Sequence, residues 1–223
     1  LGVKTRVVYD GLNRQVKSIT NFTEQGEDPA LWVWNSTNNR WQKSSGTAIA
    51  HGEKNDQNIV TESVYDSDGR LLDVRDVLGR VSRSVYDGSG RLVRTIQNYV
   101  VQGTSEPLNW IYSNGWKQSS AGGAPVVSHG ADNDENQVSS TAYDSQGRVI
   151  ETRDHRDNAS RNVYDALGRR IKTITNYVAQ GTTDPANWVW SVGNNQWENG
   201  ARVAINYGAE KDQNRIASTA YDI

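Results

Sequence analysis

Tyr-Asp pairs recur along the chain at a nearly fixed spacing, and this period limits the possible folds more than any other feature. They fall at Tyr9, Tyr65, Tyr86, Tyr143, Tyr164 and Tyr221. Tyr65 and Tyr143, Tyr143 and Tyr221, and Tyr86 and Tyr164 are each 78 residues apart, and Tyr9 and Tyr86 are 77 apart. Self-similarity at such a period marks stacked repeats, in which each unit leans on its neighbours rather than on a private core. The 223 residues therefore read as a single repeat array over 1–223, with a partial unit at 1–64, units at 65–142 and 143–220, and the start of another at 221–223. The chain opens in mid-repeat, as an excerpt from a longer periodic protein would.

Within a unit, 21 residues separate Tyr65 from Tyr86 and Tyr143 from Tyr164, and Asp76 and Asp154 divide that interval again. Each break has the same make-up: an Asp, two variable residues and a residue able to take positive φ, in the pairs Asp10 and Asn13, Asp66 and Gly69, Asp87 and Gly90, Asp144 and Gly147, and Asp165 and Gly168. An Asp side chain binds backbone N–H groups two residues on, and Gly enters the left-handed region without a Cβ penalty, so these are structural turns. The Gly position becomes Asn13 in one copy and Asp157 in another, the non-Gly residues that best tolerate that region. Between turns lie short β-branched, alternating stretches such as Leu92–Gln97, which read as antiparallel strands joined by hairpins. The expected fold is all-β, a tandem-repeat array of short antiparallel hairpins forming a solenoid, shell or filament.

A longer insertion completes each unit. Asn98-Tyr99-Val100-Val101-Gln102-Gly103-Thr104 recurs as Asn176-Tyr177-Val178-Ala179-Gln180-Gly181-Thr182, with Asn21-Phe22 opening the first copy. Pro29, Pro107 and Pro185 each follow an acid, an arrangement that starts a turn or one very short helix. Aromatics then alternate at Trp32 and Trp34, Trp110 and Tyr112, and Trp188 and Trp190, which places both rings of a pair on one side of a strand. A third ring follows at Trp41, Trp116 and Trp197. With eight Trp, ten Tyr and one Phe, the interior is built from rings that keep a polar tip.

Charge and composition remove several function classes. Twenty-four basic against 26 acidic residues leave a net charge of -2, without the cationic footprint that holds nucleic acid. The absence of Cys excludes disulfides, thiol catalysis and Cys-ligated zinc. No apolar run reaches the roughly 18 residues of a membrane span. Sequons at Asn21, Asn35 and Asn158 read as chance matches in a chain rich in Asn, Ser and Thr.

The motif Tyr-Asp-x-x-Gly-Arg, at Tyr65, Tyr86, Tyr143 and Tyr164, resembles the YD repeat of the bacterial RHS and animal teneurin families. The resemblance covers the hairpin parts of the whole chain and is weakest in the Trp-rich insertions. It implies a large secreted or surface-exposed β array, which in relatives coils into a hollow shell and, in RHS proteins, can enclose a C-terminal toxin. The regularity of the 78-residue unit adds a second expectation, because near-identical copies related by one screw operation build a rod.

Other constellations have plain structural readings. The polar loops ending at Asn58, Asn136 and Asn214 match one another, and the middle one offers Asp132, Asp134 and Glu135 as oxygen ligands for calcium. The neighbouring copies hold Lys54, Lys211 and Gln213 instead, which favours a turn that caps the next strand. His51 and His129 give way to Tyr207 in the third copy, so a turn role suits them better than catalysis. Neighbours such as Arg75-Asp76 and Arg153-Asp154 suggest ladders or turn bonds. Trp32, Trp34, Trp110, Tyr112, Trp188 and Trp190 form either an aromatic ladder filling the core or an exposed platform for glycans.

The sequence thus points to a non-catalytic, cofactor-free structural protein, extracellular or at the cell surface, whose partners are further copies of its own repeat. A shell enclosing a cargo toxin and a glycan-binding adhesin are the alternatives.

Overall fold

The computed structural model describes residues 2–119, 125–180 and 184–222. It divides into two compact units, Leu1–Gln137 and Val138–Ile223. In the first, the strands are β1 (Thr5–Tyr9), β2 (Gln15–Thr20), β3 (Val33–Asn35), β4 (Arg40–Gln42), β5 (Ile59–Tyr65), β6 (Leu71–Arg75), β7 (Val81–Tyr86), β8 (Leu92–Gln97), β9 (Ile111–Tyr112) and β10 (Trp116–Lys117). The second is built on β11 (Gln137–Tyr143), β12 (Val149–Arg153), β13 (Ala159–Tyr164), β14 (Arg170–Thr175), β15 (Val189–Ser191), β16 (Gln196–Glu198) and β17 (Arg215–Ser218). The fold is all-β and antiparallel, as the turn spacing requires.

In the first unit β1, β2, β5, β6, β7 and β8 lie side by side in that order, and in the second β11, β12, β13, β14 and β17 do the same. β1–β2, β5–β6–β7–β8 and β11–β12–β13–β14 follow one another through tight turns, which keeps their closure cost low, whereas β2 reaches β5 and β14 reaches β17 across a long insertion. Five of the six Tyr-Asp pairs bring a register shift at the Tyr, between Val8 and Tyr9, Val64 and Tyr65, Val85 and Tyr86, Ala142 and Tyr143, and Val163 and Tyr164. Such bulges tighten the right-handed twist of the hairpin.

Directly opposed residues share a face, so the register sorts the side chains of each sheet. In the first unit one face carries Lys17, Ile19, Val60, Glu62, Asp73, Arg83, Val85, Arg94 and Ile96. The other bears small hydroxyl and β-branched residues in rows, Val7–Ser18–Thr61, Ser63–Val74–Ser82 and Ser84–Thr95. The second unit repeats this division, with Thr141–Thr152–Ser160 and Asn162–Thr173–Ala217 on its small-residue face.

The insertions cap the apolar face. Each starts with a single 3-10 turn, Pro29–Leu31, Pro107–Asn109 or Pro185–Asn187. Pro suits the first position because its missing N–H is one that would lack a partner there. Asp28 and Asp184 cap their turns by accepting from the N–H of Ala30 and Ala186 at 3.0 and 2.9 Å. A two-stranded ribbon follows, β3–β4, β9–β10 or β15–β16. Beneath the first cap, Ile19, Trp32, Trp41, Ile49 and Val60 form one buried cluster with Phe22 and Trp34 packed against it. Ile174, Trp188 and Ile205 form the corresponding cluster in the second unit.

Candidate functional site

The repeated structural motif is the most regular candidate site, and it has two parts, a turn ladder and a clasped cap. In the ladder, the Asp of each Tyr-Asp turn takes four hydrogen bonds. Asp66 Oδ1 accepts from the N–H of Asp68 and Arg70, and its Oδ2 accepts from the Arg70 guanidinium at 2.7 Å. A further backbone bond, from Gly69 N–H to the Asp66 carbonyl, closes the turn at 3.1 Å. Asp10, Asp87, Asp144 and Asp165 repeat the side-chain pattern with Arg14, Arg91, Arg148 and Arg169. The fourth turn residue has positive φ throughout: 60° at Asn13, 79° at Gly69, 78° at Gly90, and 80° at Gly147 and Gly168.

The Arg of the motif then reaches the next hairpin. Arg14 stacks over the Tyr65 ring, Arg70 over Tyr86, Arg148 over Tyr164 and Arg169 over Tyr221, each within 4.7 Å of the centroid. The phenol returns the contact to the residue after that Arg. Tyr65 donates to the Gln15 carbonyl, Tyr86 to Leu71, Tyr164 to Val149 and Tyr221 to Arg170, at 2.9, 2.9, 2.9 and 3.1 Å. Tyr, Asp, Gly and Arg therefore work as one part that fastens a hairpin to its successor, by cation–π attraction and a hydrogen bond.

These turns set an acid limit on stability. The main-chain N–H of Arg14 and Arg91 lowers the carboxyls of Asp10 and Asp87, and the Arg169 guanidinium lowers Asp165, all from an ordinary 3.8. At Asp66 and Asp144 partial desolvation pushes upward, but the bonds from Arg70 and Arg148 outweigh it. Because the folded values lie below the unfolded ones, the stabilisation is complete above the unfolded value and disappears as pH falls through the folded values. Thermal midpoints followed by circular dichroism are expected to hold level from pH 7 to about 5 and to drop below about pH 4. The drop should be shallower in Asp66→Asn, and an unchanged midpoint at pH 3 would contradict this account.

The sub-period turns follow the same design with altered partners. Asp76 binds the N–H of Leu78 and Arg80 and the Arg80 guanidinium, and Asp154 binds Arg156, Asn158 and the Asn158 amide. The adjacent Arg75 and Arg153 donate to the carbonyls of Gly79 and Asp157 and pair with Glu62 and Glu151. Across the strands Arg83 pairs with Asp73, and Arg161 with Glu151, while each guanidinium also covers a ring, Tyr99 or Tyr177.

Each cap is tied at its neck by two Asn residues. Asn58 N–H donates to the Asn21 carbonyl at 3.1 Å, Asn136 to Asn98 at 3.0 Å and Asn214 to Asn176 at 2.9 Å. Asn58, Asn136 and Asn214 are fully buried at φ near 50°. The Asn58 carbonyl oxygen Oδ1 accepts from Thr23 N–H, and its amide donates to Thr23 Oγ1 and the Ala50 carbonyl. Gln25, Gln102 and Gln180 add a side-chain imitation of a β-bridge. The Gln102 amide, for instance, donates to the Ser128 carbonyl and accepts from Ser128 N–H, at 2.7 and 2.8 Å. A cation from the sheet completes the fastening: Lys17 donates to the Ala30 carbonyl, Arg94 to Pro107, Leu108 and Trp110, and Lys172 to Ala186 and Trp188. Burial lowers the pKa of Lys17 and Lys172, so each ammonium ion is held by carbonyl dipoles against a desolvation cost.

The six aromatic positions separate by depth. Trp32, Trp110 and Trp188 are fully buried, each closing its 3-10 turn, whereas Trp34 and Tyr112 are half-buried and Trp190 is 47% exposed. Within each insertion, Phe22–Trp32, Tyr99–Trp110 and Tyr177–Trp188 are tilted pairs, and Trp34–Trp41, Tyr112–Trp116 and Trp190–Trp197 meet edge to face. A sugar cannot stack on the three buried rings, and the glycan platform has no support from this geometry.

The polar loops are also drawn into the neck. His51 and His129 place Nδ1 3.0 and 3.1 Å from the carbonyls of Gln57 and Glu135, six residues on. Asp134 accepts from the Asn98 amide at 3.2 Å, while Asp132 is exposed and Glu135 packs beside Gly130. Among the described residues no three His, Cys, Asp or Glu side chains stand together in a way that would hold a metal ion. Nor, among these residues, is any helix long and apolar enough to cross a membrane.

Fold and ladder together define a structural β protein built from tandem hairpin repeats. Residues 65–98 match the RHS repeat family, from the Tyr-Asp turn at Tyr65 through that at Tyr86 to the neck residue Asn98. Residues 65–98 thus carry an RHS repeat of the kind the Tyr-Asp-x-x-Gly-Arg motif suggests. No curated protein matches it. Among solved structures it is similar to a Photorhabdus luminescens Tc holotoxin pore carrying a mutated TccC3, at 17% identity and a TM-score of 0.39, over 78% of this chain and 6% of that one. It is also similar to TcdB2-TccC3-TEV and TcdB2-TccC3-Cdc42, at 14% and 16% identity and a TM-score of 0.19 for each. These cover 88% and 96% of this chain but 11% and 12% of those, so the chain spans a small part of each.

Proposed function

We propose that this chain is a stretch of wall in an extracellular or cell-surface RHS-type assembly, a single array of 78-residue units that carries load rather than catalysing a reaction. Its partners are further repeats of the same kind, which extend the sheet into a filament or sheath. The observation that carries this reading is the one-way handover in the ladder, where Arg14, Arg70, Arg148 and Arg169 each stack on the Tyr of the following hairpin within their own unit. A fastening of that form works equally well at every step, so adding units needs no new chemistry and stability grows with their number. The turn residues from Asp10 and Asn13 to Asp165 and Gly168 set where each strand reverses, and the buried Trp rings anchor the caps.

The match to the RHS repeat supports a second reading, a wall that curves around an enclosed cargo domain. Electron microscopy of the intact protein separates the two. Rods of constant width and variable length are the expected result, and closed hollow particles of one size would transfer the assignment to the shell.

A further inference from the structure

We propose that the exposed indole of Trp190 is a docking surface for the glycine-bearing turn of a further repeat. The inference rests on the stacking role proposed above, and it names the contact by which one unit is keyed to the next.

The precedent lies inside the first unit. The Trp34 indole rests on Gly79, in the turn between β6 and β7, so closely that a Cβ at Gly79 would stand 1.9 Å from Trp34 Cζ2 and 2.4 Å from Cε2. Gly79 has φ +83°, and its turn is the Asp76-Val77-Leu78-Gly79-Arg80 turn described above. A cap residue thus covers the hairpin that follows its own repeat, and only a bare glycine lets the two surfaces meet.

Trp190 is the same residue two repeats on, 156 positions after Trp34. It is presented identically, because Trp190 meets Trp197 at 5.8 Å and 70° and Trp34 meets Trp41 at 5.8 Å and 70°. Val33 and Val189, on the neighbouring strand position, are both exposed, at 45% and 56%. The copies differ at this ring pair, because the indole is half-buried at Trp34 and 47% exposed at Trp190, and its partner is fully buried at Trp41 and half-buried at Trp197. An exposed indole held rigidly by a partner ring is a ready-made anchor for a complementary surface.

Two further features stand where the following hairpin needs them. β17 is the equivalent of β5, the strand whose far edge receives β6. Arg169 already covers Tyr221, the rung from which that hairpin would start. The chemistry of the occupant is also specified: a turn of the form Asp-x-x-Gly-Arg with left-handed glycine. At the positions 78 residues after Trp34 and Gly79 the sequence has Tyr112 and Asp157, a smaller ring and a residue with a Cβ exchanged together. The Trp at 190 calls for the glycine form.

The test joins residues 68–98 of this chain in register after Ile223 of the full chain and follows oxidation of Trp190 by N-bromosuccinimide with peptide mapping. The graft is expected to slow that oxidation about tenfold, and Gly79→Asp within the graft, which keeps a left-handed turn but adds the colliding Cβ, is expected to restore the original rate. If amide exchange shows the outer edge of β17 protected while Trp190 is oxidised as fast as before, the docking contact is wrong and the stacking role stands. If neither β17 nor Trp190 gains protection, both fail.

Discussion

Trp188→Ala is expected to melt one cap while leaving the first unit intact. Trp188 is fully buried, it packs with Ile174 and Ile205, and its own carbonyl receives Lys172 at 2.6 Å. Truncating a buried indole costs about 3–5 kcal/mol from lost transfer energy and the cavity left behind. An array distributes that loss unevenly, since each unit is stabilised by its own interior and its nearest neighbours. Hydrogen exchange should therefore show protection lost over residues 185–214 and retained in β1, β2 and β5. Uniform loss along the chain would mean that the caps are not independent. Trp190→Ala, by contrast, should barely shift the unfolding midpoint, because that ring is 47% exposed.

Asn58→Ala should be nearly as damaging although it removes only an amide. The side chain satisfies three groups at the neck, Thr23 N–H, Thr23 Oγ1 and the Ala50 carbonyl, from a position without solvent access. Each buried group left without a partner costs about 1–3 kcal/mol, so a total loss of about 3–4 kcal/mol in urea unfolding is expected. The φ of 50° adds a second penalty for alanine. Asn58→Gly removes the same bonds without that penalty and should lie about 1 kcal/mol above Asn58→Ala. Asn58→Asp keeps the acceptor for Thr23 N–H but turns a carboxylate oxygen on the Ala50 carbonyl, and it should be no better than alanine. Stability unchanged from that of the original protein in all three variants would show that the neck is not held through this side chain.

What could be read in advance follows the range of the interactions. The Asp-x-x-Gly turns were legible because their bonds span two to four residues, and the need for positive φ leaves a visible mark when Gly becomes Asn13 or Asp157. The short 3-10 turns were legible for the same reason, from Pro behind an acid. The necks were not, since Asn21 and Asn58, or Gln25 and Ala50, are far apart in sequence, and a matched Asn in a polar loop looks like an ordinary Asx turn. One signal was available: Asn21, Asn58, Asn98, Asn136, Asn176 and Asn214 all take positive φ, and none of the six has drifted to Gly. A position that needs only conformation would accept glycine, so a persistent Asn means that its amide is in use. The stacking of Arg on the next Tyr was hidden differently, for the motif contains both residues and invites pairing within one turn, whereas the fold pairs them across successive turns.

The asparagine necks also separate two kinds of change that sequences undergo. Asn58 follows Asn21 by 37 positions, while Asn136 follows Asn98 and Asn214 follows Asn176 by 38, yet β2 and β5 meet as β14 and β17 do. The excursion between the two Asn residues has lost or gained a residue without the hairpins registering it. Lengthening a loop whose ends are already pinned adds little closure cost, about 0.6 kcal/mol per doubling. The backbone of this protein is thus a chassis with a standard socket every 78 residues, into which evolution, or an engineer, can plug decorations of different size while the frame stays the same.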